Sequence, residues 1–279
     1  MGRSETKERT GPEQAVAEEV VKLHVEDGVA VLTLNRPERM NAWTGEMEEL
    51  YFELLGRCGS DPDVRVIVVT GAGRGFCAGA DMDQLQAVGE TGVTERPRTH
   101  PQTFPLGIPK PIVAAINGAC AGIGFVQALM CDVRFAASGA KITTAFSRRG
   151  LVGEHGISWL LPRLVGPSRA LDLLLSGRVV LADEAAELGV VNAVFPAESL
   201  MDEVLAYARD VATNCSPTAM AAIKSQVYRH LQTDLDTALE ESNRLMLESF
   251  GWPDLREGVK SFVERRPPRF APLDGDGAA

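Results

Sequence analysis

The sequence predicts an α/β fold with largely parallel strands, followed by a wholly helical C-terminal region. Three observations carry this. Strand-type runs alternate with helical ones through the first two thirds of the 279 residues. Glycine-bearing turns follow apolar runs rich in β-branched residues. After about residue 200 the strand patterns stop and only helical spacing remains. The expected organisation is a polar, disordered tail over 1–18, an α/β core over 19–200, a helical region over 201–270 and a second disordered tail over 271–279.

In chain order, "VKLHVEDGVAVLTLN" holds two alternating runs separated by Asp27-Gly28, a hairpin signal. A helix is expected from about Thr44, where Met47, Leu50, Tyr51, Leu54 and Leu55 fall on one face. "VRVIVVTG" is continuously apolar, as in a strand covered on both faces. "PIVAAINGACAGIGFVQALMCDVRFAA" reads as strand, glycine-rich turn, helix, strand. The segment Gln84–Ile108 shows no clear period and is long for a structureless loop, which marks it as mobile or functional. Helices are expected over Met201–Asn214, Thr218–His230, Asp234–Leu247 and Leu255–Arg265.

The composition narrows the class. A formal net charge of −10 and a pI near 5.0 argue against binding to nucleic acid or an anionic membrane, since both need a basic face. Five scattered cysteines without a CxxC pair suggest reduced thiols, with neither a disulfide framework nor a metal site. The first twenty residues lack the apolar core of a signal peptide, and no apolar run reaches the roughly 20 residues that span a bilayer. The expectation is a soluble cytoplasmic protein.

Two glycine turns and one charged turn carry the chemistry. "GFCAGADM" (75–82) and "NGACAGIG" (117–124) each follow an apolar strand. Glycine permits positive φ and close approach, so two such turns can aim free N–H groups at one developing oxyanion. "GLVGEHGISW" (150–159) places Glu154 and His155 in an otherwise apolar, glycine-punctuated stretch. Read alone, it is a solvated loop tip.

In series, "LNRPERMNAW", "VTGAGRGFCAGADM", "INGACAGIG" with "CDVRFAA", "LLPRLVG", "LLLSGRVVLADEAAELGVVNAVFP" and "EGVKSFVERRPPRF" resemble the enoyl-CoA hydratase/isomerase (crotonase) superfamily over about residues 20–270. The resemblance implies a spiral of ββα units with a helical C-terminal trimerisation region. The implied partner is an acyl-CoA thioester, with coenzyme A carried by the substrate and no separate cofactor. The implied assembly is a homotrimer or a dimer of trimers. By motif, the oxyanion donors are the N–H groups of Ala80 and Ile123, the latter where the family often has glycine. Coenzyme A contacts fall on Glu38, Arg39, Met40, Ala78, Ala80, Asp81, Met82 and, near the C-terminus, Arg265. Asp83 stands where a lysine is common.

The two glutamates of the family's hydratases correspond to Val126 and Phe146, so both are absent. "GLVGEHGISWLLPRLVG" is similar to the pattern of members that isomerise, whose catalytic Asp matches Glu154. One carboxylate suffices for a 1,3-proton shift, because the same group takes the proton and returns it. The expectation is double-bond isomerisation of an enoyl-CoA with Glu154 as single acid/base. The alternatives are hydration or thioester hydrolysis using Glu154, and a non-catalytic acyl-CoA-binding member. His155 is read as bonding the scaffold, a nucleophilic pair with Cys77 or Cys120 being the other option. His100 is read as a loop histidine that either stays solvated or enters the site on closure.

Overall fold

A computed structural model describes residues 19–92 and 98–273. The expected tail over 1–18, residues 274–279 of the second tail and residues 93–97 of the aperiodic segment lie outside the described residues.

Two sheets organise the core. Strands β1 (Val21–Glu26) and β2 (Val29–Leu34) form the expected hairpin, with Asp27 and Gly28 both at positive φ, +52° and +77°. That is the turn geometry an Asp-Gly pair adopts at least cost. Helix α1 (Gly45–Ser60) starts at Thr44, whose side chain accepts from Met47 N–H at 3.2 Å. Such a cap satisfies one of the unpaired first-turn donors and contributes about 1 kcal/mol. Its expected apolar face is realised: Met47, Tyr51, Leu54 and Leu55 are buried, and Leu50 is half-buried.

Strand β3 (Val66–Gly71) is buried at every position, which explains its unbroken apolar run. With β5 (Ile112–Ile116), β7 (Val133–Ala137) and β10 (Ala193–Phe195) it completes a six-stranded sheet in the order β1-β2-β3-β5-β7-β10. All its pairs are parallel except the hairpin. The smaller sheet runs β4 (Gly75–Cys77), β6 (Ala119–Ala121), β8 (Lys141–Thr143), β9 (Val180–Leu181). Its first two strands lie inside the two glycine-rich segments read as turns from sequence. Because β4 and β6 pair in parallel, those segments are spatial neighbours.

Helix α2 (Met82–Thr91) occupies the start of the stretch that showed no period in the sequence. The reason is burial: from Met82 to Glu90 only Leu85 is even half-buried. A helix lying on the surface needs no apolar stripe. Helix α3 (Ile123–Leu129) is the opposite case, buried at all seven positions. Helices α4 (Ile157–Val165), α5 (Pro167–Ser176) and α6 (Ala182–Glu187) follow.

The helical region comprises α7 (Leu200–Asn214), α8 (Pro217–His230), α9 (Leu235–Ser249) and α10 (Pro253–Glu264). Helix α7 lies on the six-stranded sheet, burying Leu200, Val204, Ala208 and Ala212. The later helices leave large apolar side chains in solvent, among them Leu235, Leu247, Phe250, Phe262 and Val263. No helix among the described residues is long and apolar enough to cross a membrane.

Candidate active site

The two glycine segments meet at Gly79 and Gly122. Both take positive φ, +106° and +50°. A Cβ on Gly79 would lie 3.3 Å from Ala121 O, and one on Gly122 would lie 3.9 Å from Gly79 Cα. The residues that follow them, Ala80 and Ile123, are the donors expected from the motifs.

The main chain explains why Ala80 N–H is free. Trp43 N–H donates to Gly79 O at 2.8 Å, and Asp81 N–H donates to Trp43 O at 3.0 Å. These bonds use the residues on either side of Ala80, so in extended geometry its own N–H points away from Trp43. Ile123 is the first residue of α3, where a backbone N–H has no partner within the helix. Neither N–H bonds another described residue.

Helix α3 reaches this position because Gly124 has no side chain. A Cβ there would come within 2.4 Å of Cys77 O and 2.6 Å of Cys77 Cβ. Gly124→Ala is therefore expected to push α3 off β4 and displace the Ile123 donor. A strained overpacking of this kind costs about 1–3 kcal/mol. A lowered melting temperature together with reduced turnover per folded site is the expected pair of results. An unchanged melt would mean that the contact relaxes freely.

The segment bearing Glu38, Arg39 and Met40 packs beside Ala78–Met82. Ala78 N–H donates to Met40 O at 3.0 Å. Asp81 is 4% exposed and accepts from Arg36 at 3.1 Å and Arg39 at 3.5 Å. It also caps α2 through Asp83 N–H at 3.1 Å. Against the upward pull of burial, the bonds from Arg36 and Asp83 N–H and the Arg39 charge hold the Asp81 carboxyl below its ordinary value. Depression favours the native state above the unfolded carboxyl's pKa, about 3.9, and that stability is lost as pH falls through the native value. Asp81→Asn is expected to cost about 1.5–3 kcal/mol at pH 7 and to flatten the acid limb of a melting-temperature profile. A variant that keeps the wild-type acid limb would remove Asp81 as its source.

Of the remaining residues expected at coenzyme A, Glu38, Ala78, Ala80 and Met82 are exposed. Arg39 is bound by Asp83 at 2.5 Å, so the residue replacing the family's common lysine holds a cation in place instead. Near the C-terminus, Arg266 is taken by Glu257 and Glu264. The neighbouring Arg265 is exposed, and its guanidinium pairs with no described residue.

Val126 and Phe146 are buried at 0% and 5% exposure. Glu154 sits one-third exposed, with Oε2 at 3.4 Å from His155 Nε2. His155 adopts positive φ, +56°, a conformation that strains a non-glycine residue. Burial pushes its imidazole below the ordinary value, with Glu154 pulling up and Arg98 pushing down. The imidazole therefore faces Glu154, which the sequence reading had not anticipated. Cys77 and Cys120 are fully buried, and burial pushes the Cys77 thiol up to about 12. A protonated thiol is a poor nucleophile, which removes the cysteine–histidine option. His100 stacks on Phe104 at 4.0 Å between ring centroids. Among the described residues no three His, Cys, Asp or Glu side chains gather as a metal site.

A carboxylate that the sequence reading missed lies next to these elements. Glu48 of α1 is 15% exposed at its side chain. It accepts from Trp43 Nε1 at 3.1 Å, Gln102 Nε2 at 2.5 Å and Arg98 Nε at 3.0 Å. Gln127 of α3, 1% exposed, donates to Gln102 Oε1 at 2.6 Å.

Two backbone N–H groups without described partners thus stand in abutting glycine turns. The family model of Enoyl-CoA hydratase/isomerase matches residues 24–272, and the chain belongs to that family. It is 38% identical over 259 residues to a 1,2-epoxyphenylacetyl-CoA isomerase of Escherichia coli K12, covering 90% of this chain and 98% of that protein. It is 36% identical to an (E)-benzylidenesuccinyl-CoA hydratase of Thauera aromatica, covering 90% of this chain and 98% of that one. A probable enoyl-CoA hydratase/isomerase structure from Mycobacterium abscessus superposes with a TM-score of 0.84 at 34% identity, over 91% of this chain and all of the other. The fold is thus the crotonase-type α/β spiral with a helical C-terminal region, and the chain is an enzyme of the hydratase/isomerase family.

Proposed function

We propose that this enzyme isomerises the double bond of an enoyl-CoA, with Ala80 and Ile123 N–H groups holding the thioester oxygen and Glu154 moving the proton. Glu154 removes a proton from carbon 2 of a 3-enoyl-CoA. The electron pair delocalises onto the thioester oxygen, where two preorganised donors stabilise it. The same carboxyl returns the proton at carbon 4, giving the 2-enoyl-CoA with atoms and charge conserved. The observation that carries this reading is that Val126 and Phe146, which match a hydratase's two acids by motif, are apolar and buried, while Glu154 is retained in its turn.

Glu38, Arg39, Met40, Ala78, Asp81 and Met82 are assigned to coenzyme A, together with Arg265. The guanidinium of Arg265, which pairs with no described residue, supports this, because arginine suits phosphate geometry. Apolar side chains exposed on α9 and α10 support a homotrimer or dimer of trimers. Five free cysteines support a reducing, cytoplasmic setting.

Hydration is the second reading, favoured by relatives named as hydratases, among them a probable enoyl-CoA hydratase of Rhodobacter capsulatus. A panel of 3-enoyl-CoA, crotonyl-CoA and an aromatic epoxyacyl-CoA separates the two. Isomerisation predicts turnover of 3-enoyl-CoA and exchange of the carbon 2 proton in deuterated water. Fast hydration of crotonyl-CoA without that isomerisation would overturn it.

A further inference from the structure

Resting on the reading of Ala80 and Glu154 above, we propose that Glu48 is a positioning residue of this site, tying the Trp43 segment beside the Ala80 donor to the turn that carries Glu154 and His155. Its two oxygens divide the work. Oε2 accepts from the Trp43 indole and the Gln102 amide, and Oε1 accepts from Arg98.

Each partner leads to a different part of the machinery. Trp43 brackets Ala80 with the two main-chain bonds that turn its N–H outward. A tilt of the indole, once released from Glu48, therefore moves the peptide groups on both sides of the donor. Gln102 precedes Thr103, whose Cγ2 would lie 3.6 Å from a Cβ on Gly156, so this segment rests against the turn of His155 and Gly156. Gln102 Oε1 also accepts from Gln127 Nε2, and Gln127 Oε1 itself has no partner among the described residues. At this point the side-chain polar tether of α3, the helix of the Ile123 donor, is therefore its bond to Gln102.

Arg98 completes the arrangement. The charged groups that face His155 are Glu154 beside it, Arg98 from the segment before Gln102, and Glu48 from α1. A carboxylate with so little exposure costs desolvation, and an apolar side chain would fill the same space without it. Three donors from two segments, Trp43 at the head of α1 and Arg98 with Gln102 in the stretch before Thr103, converge on one carboxylate of α1 and fix those segments relative to it. Sub-ångström placement of donors and base is what the proposed proton shift requires.

Two substitutions grade the effect. Glu48→Gln keeps one acceptor oxygen for Trp43 and Gln102 but turns an amide donor toward Arg98. Glu48→Ala removes every bond. With 3-enoyl-CoA as substrate, kcat per folded site is expected to fall about tenfold in the first and about a hundredfold in the second, with KM within twofold of wild type. The second readout needs no turnover: in the NMR spectrum of Glu48→Ala, the Ala80 amide and the His155 ring signals both shift, although neither group touches Glu48. Unchanged kcat per folded site in Glu48→Ala, or a shift at only one end, overturns the proposal. Because the NMR readout is independent of the reaction, a failure of Glu154 as the base would leave it intact and be told apart.

Discussion

Glu154→Gln is expected to lower kcat for isomerisation of a 3-enoyl-CoA by about 10²–10⁴-fold, with KM nearly unchanged. The substitution keeps the shape of the side chain and deletes its ability to take a proton. The oxyanion donors are backbone groups on other elements, so thioester binding survives it. Folding survives as well. Glu154 is one-third exposed and its carboxylate pairs only with His155 among the described residues, at 3.4 Å. Exposed pairs of this kind contribute no more than about 1 kcal/mol. Steady-state rates beside a thermal melt make the check. Wild-type turnover in the variant would remove Glu154 as the base.

Lys224→Met is expected to have the largest effect on stability, about 3–5 kcal/mol, lowering the melting temperature by on the order of 10 °C. Lys224 of α8 is 9% exposed and directs its ammonium at Asp132 Oδ2 at 2.8 Å, Pro105 O at 3.2 Å and Lys110 O at 3.1 Å. Asp132 also accepts from Tyr228 Oη at 2.9 Å and from Ile112 N–H, the first residue of β5, at 2.7 Å. Burial pushes the Lys224 pKa below its ordinary value, and the charge and hydrogen bond of Asp132 oppose that shift. Methionine fills the space but leaves a carboxylate short of a cation, Lys110 O without its ammonium donor and Pro105 O with only Ile108 N–H at 3.3 Å. The penalty is that of an uncompensated buried charge rather than of a lost contact. A differential-scanning melt tests it, and a shift below about 2 °C would mean that water replaces the ammonium. Turnover per folded site is expected to persist, since Lys224 makes no contact with the Ala80 or Ile123 turns.

The two variants probe different layers of the chain, and those layers differ in how far sequence could reveal them. Strand β3 was readable because its burial on both faces forces an unbroken apolar run. Helix α1 was readable because one buried face forces a helical period, and the Asp27-Gly28 turn because few residue pairs adopt its backbone. Helix α2 left no trace, since almost nothing on it is buried. The donors Ala80 and Ile123 were assigned by motif. The freedom of the Ala80 N–H became evident only once the Trp43 bonds to Gly79 and Asp81 were in view, and that of Ile123 once α3 was seen to start there.

What sequence by itself determined was the order and type of the main elements and the family, with the expectation that Val126 and Phe146 stand where its hydratases keep their acids. Local backbone preference and burial period write themselves into neighbouring residues, and so do short motifs. Tertiary structure alone decided that β4 and β6 bring the two glycine turns together, and that His155 faces Glu154. It alone decided that Glu48, Arg98, Gln102 and Gln127 form one network. The first and last of these four lie 79 positions apart in the chain. Bonds between side chains on separate elements impose no spacing on the sequence, so only the packing of α1 and α3 with the segment between them could disclose the carboxylate at their centre.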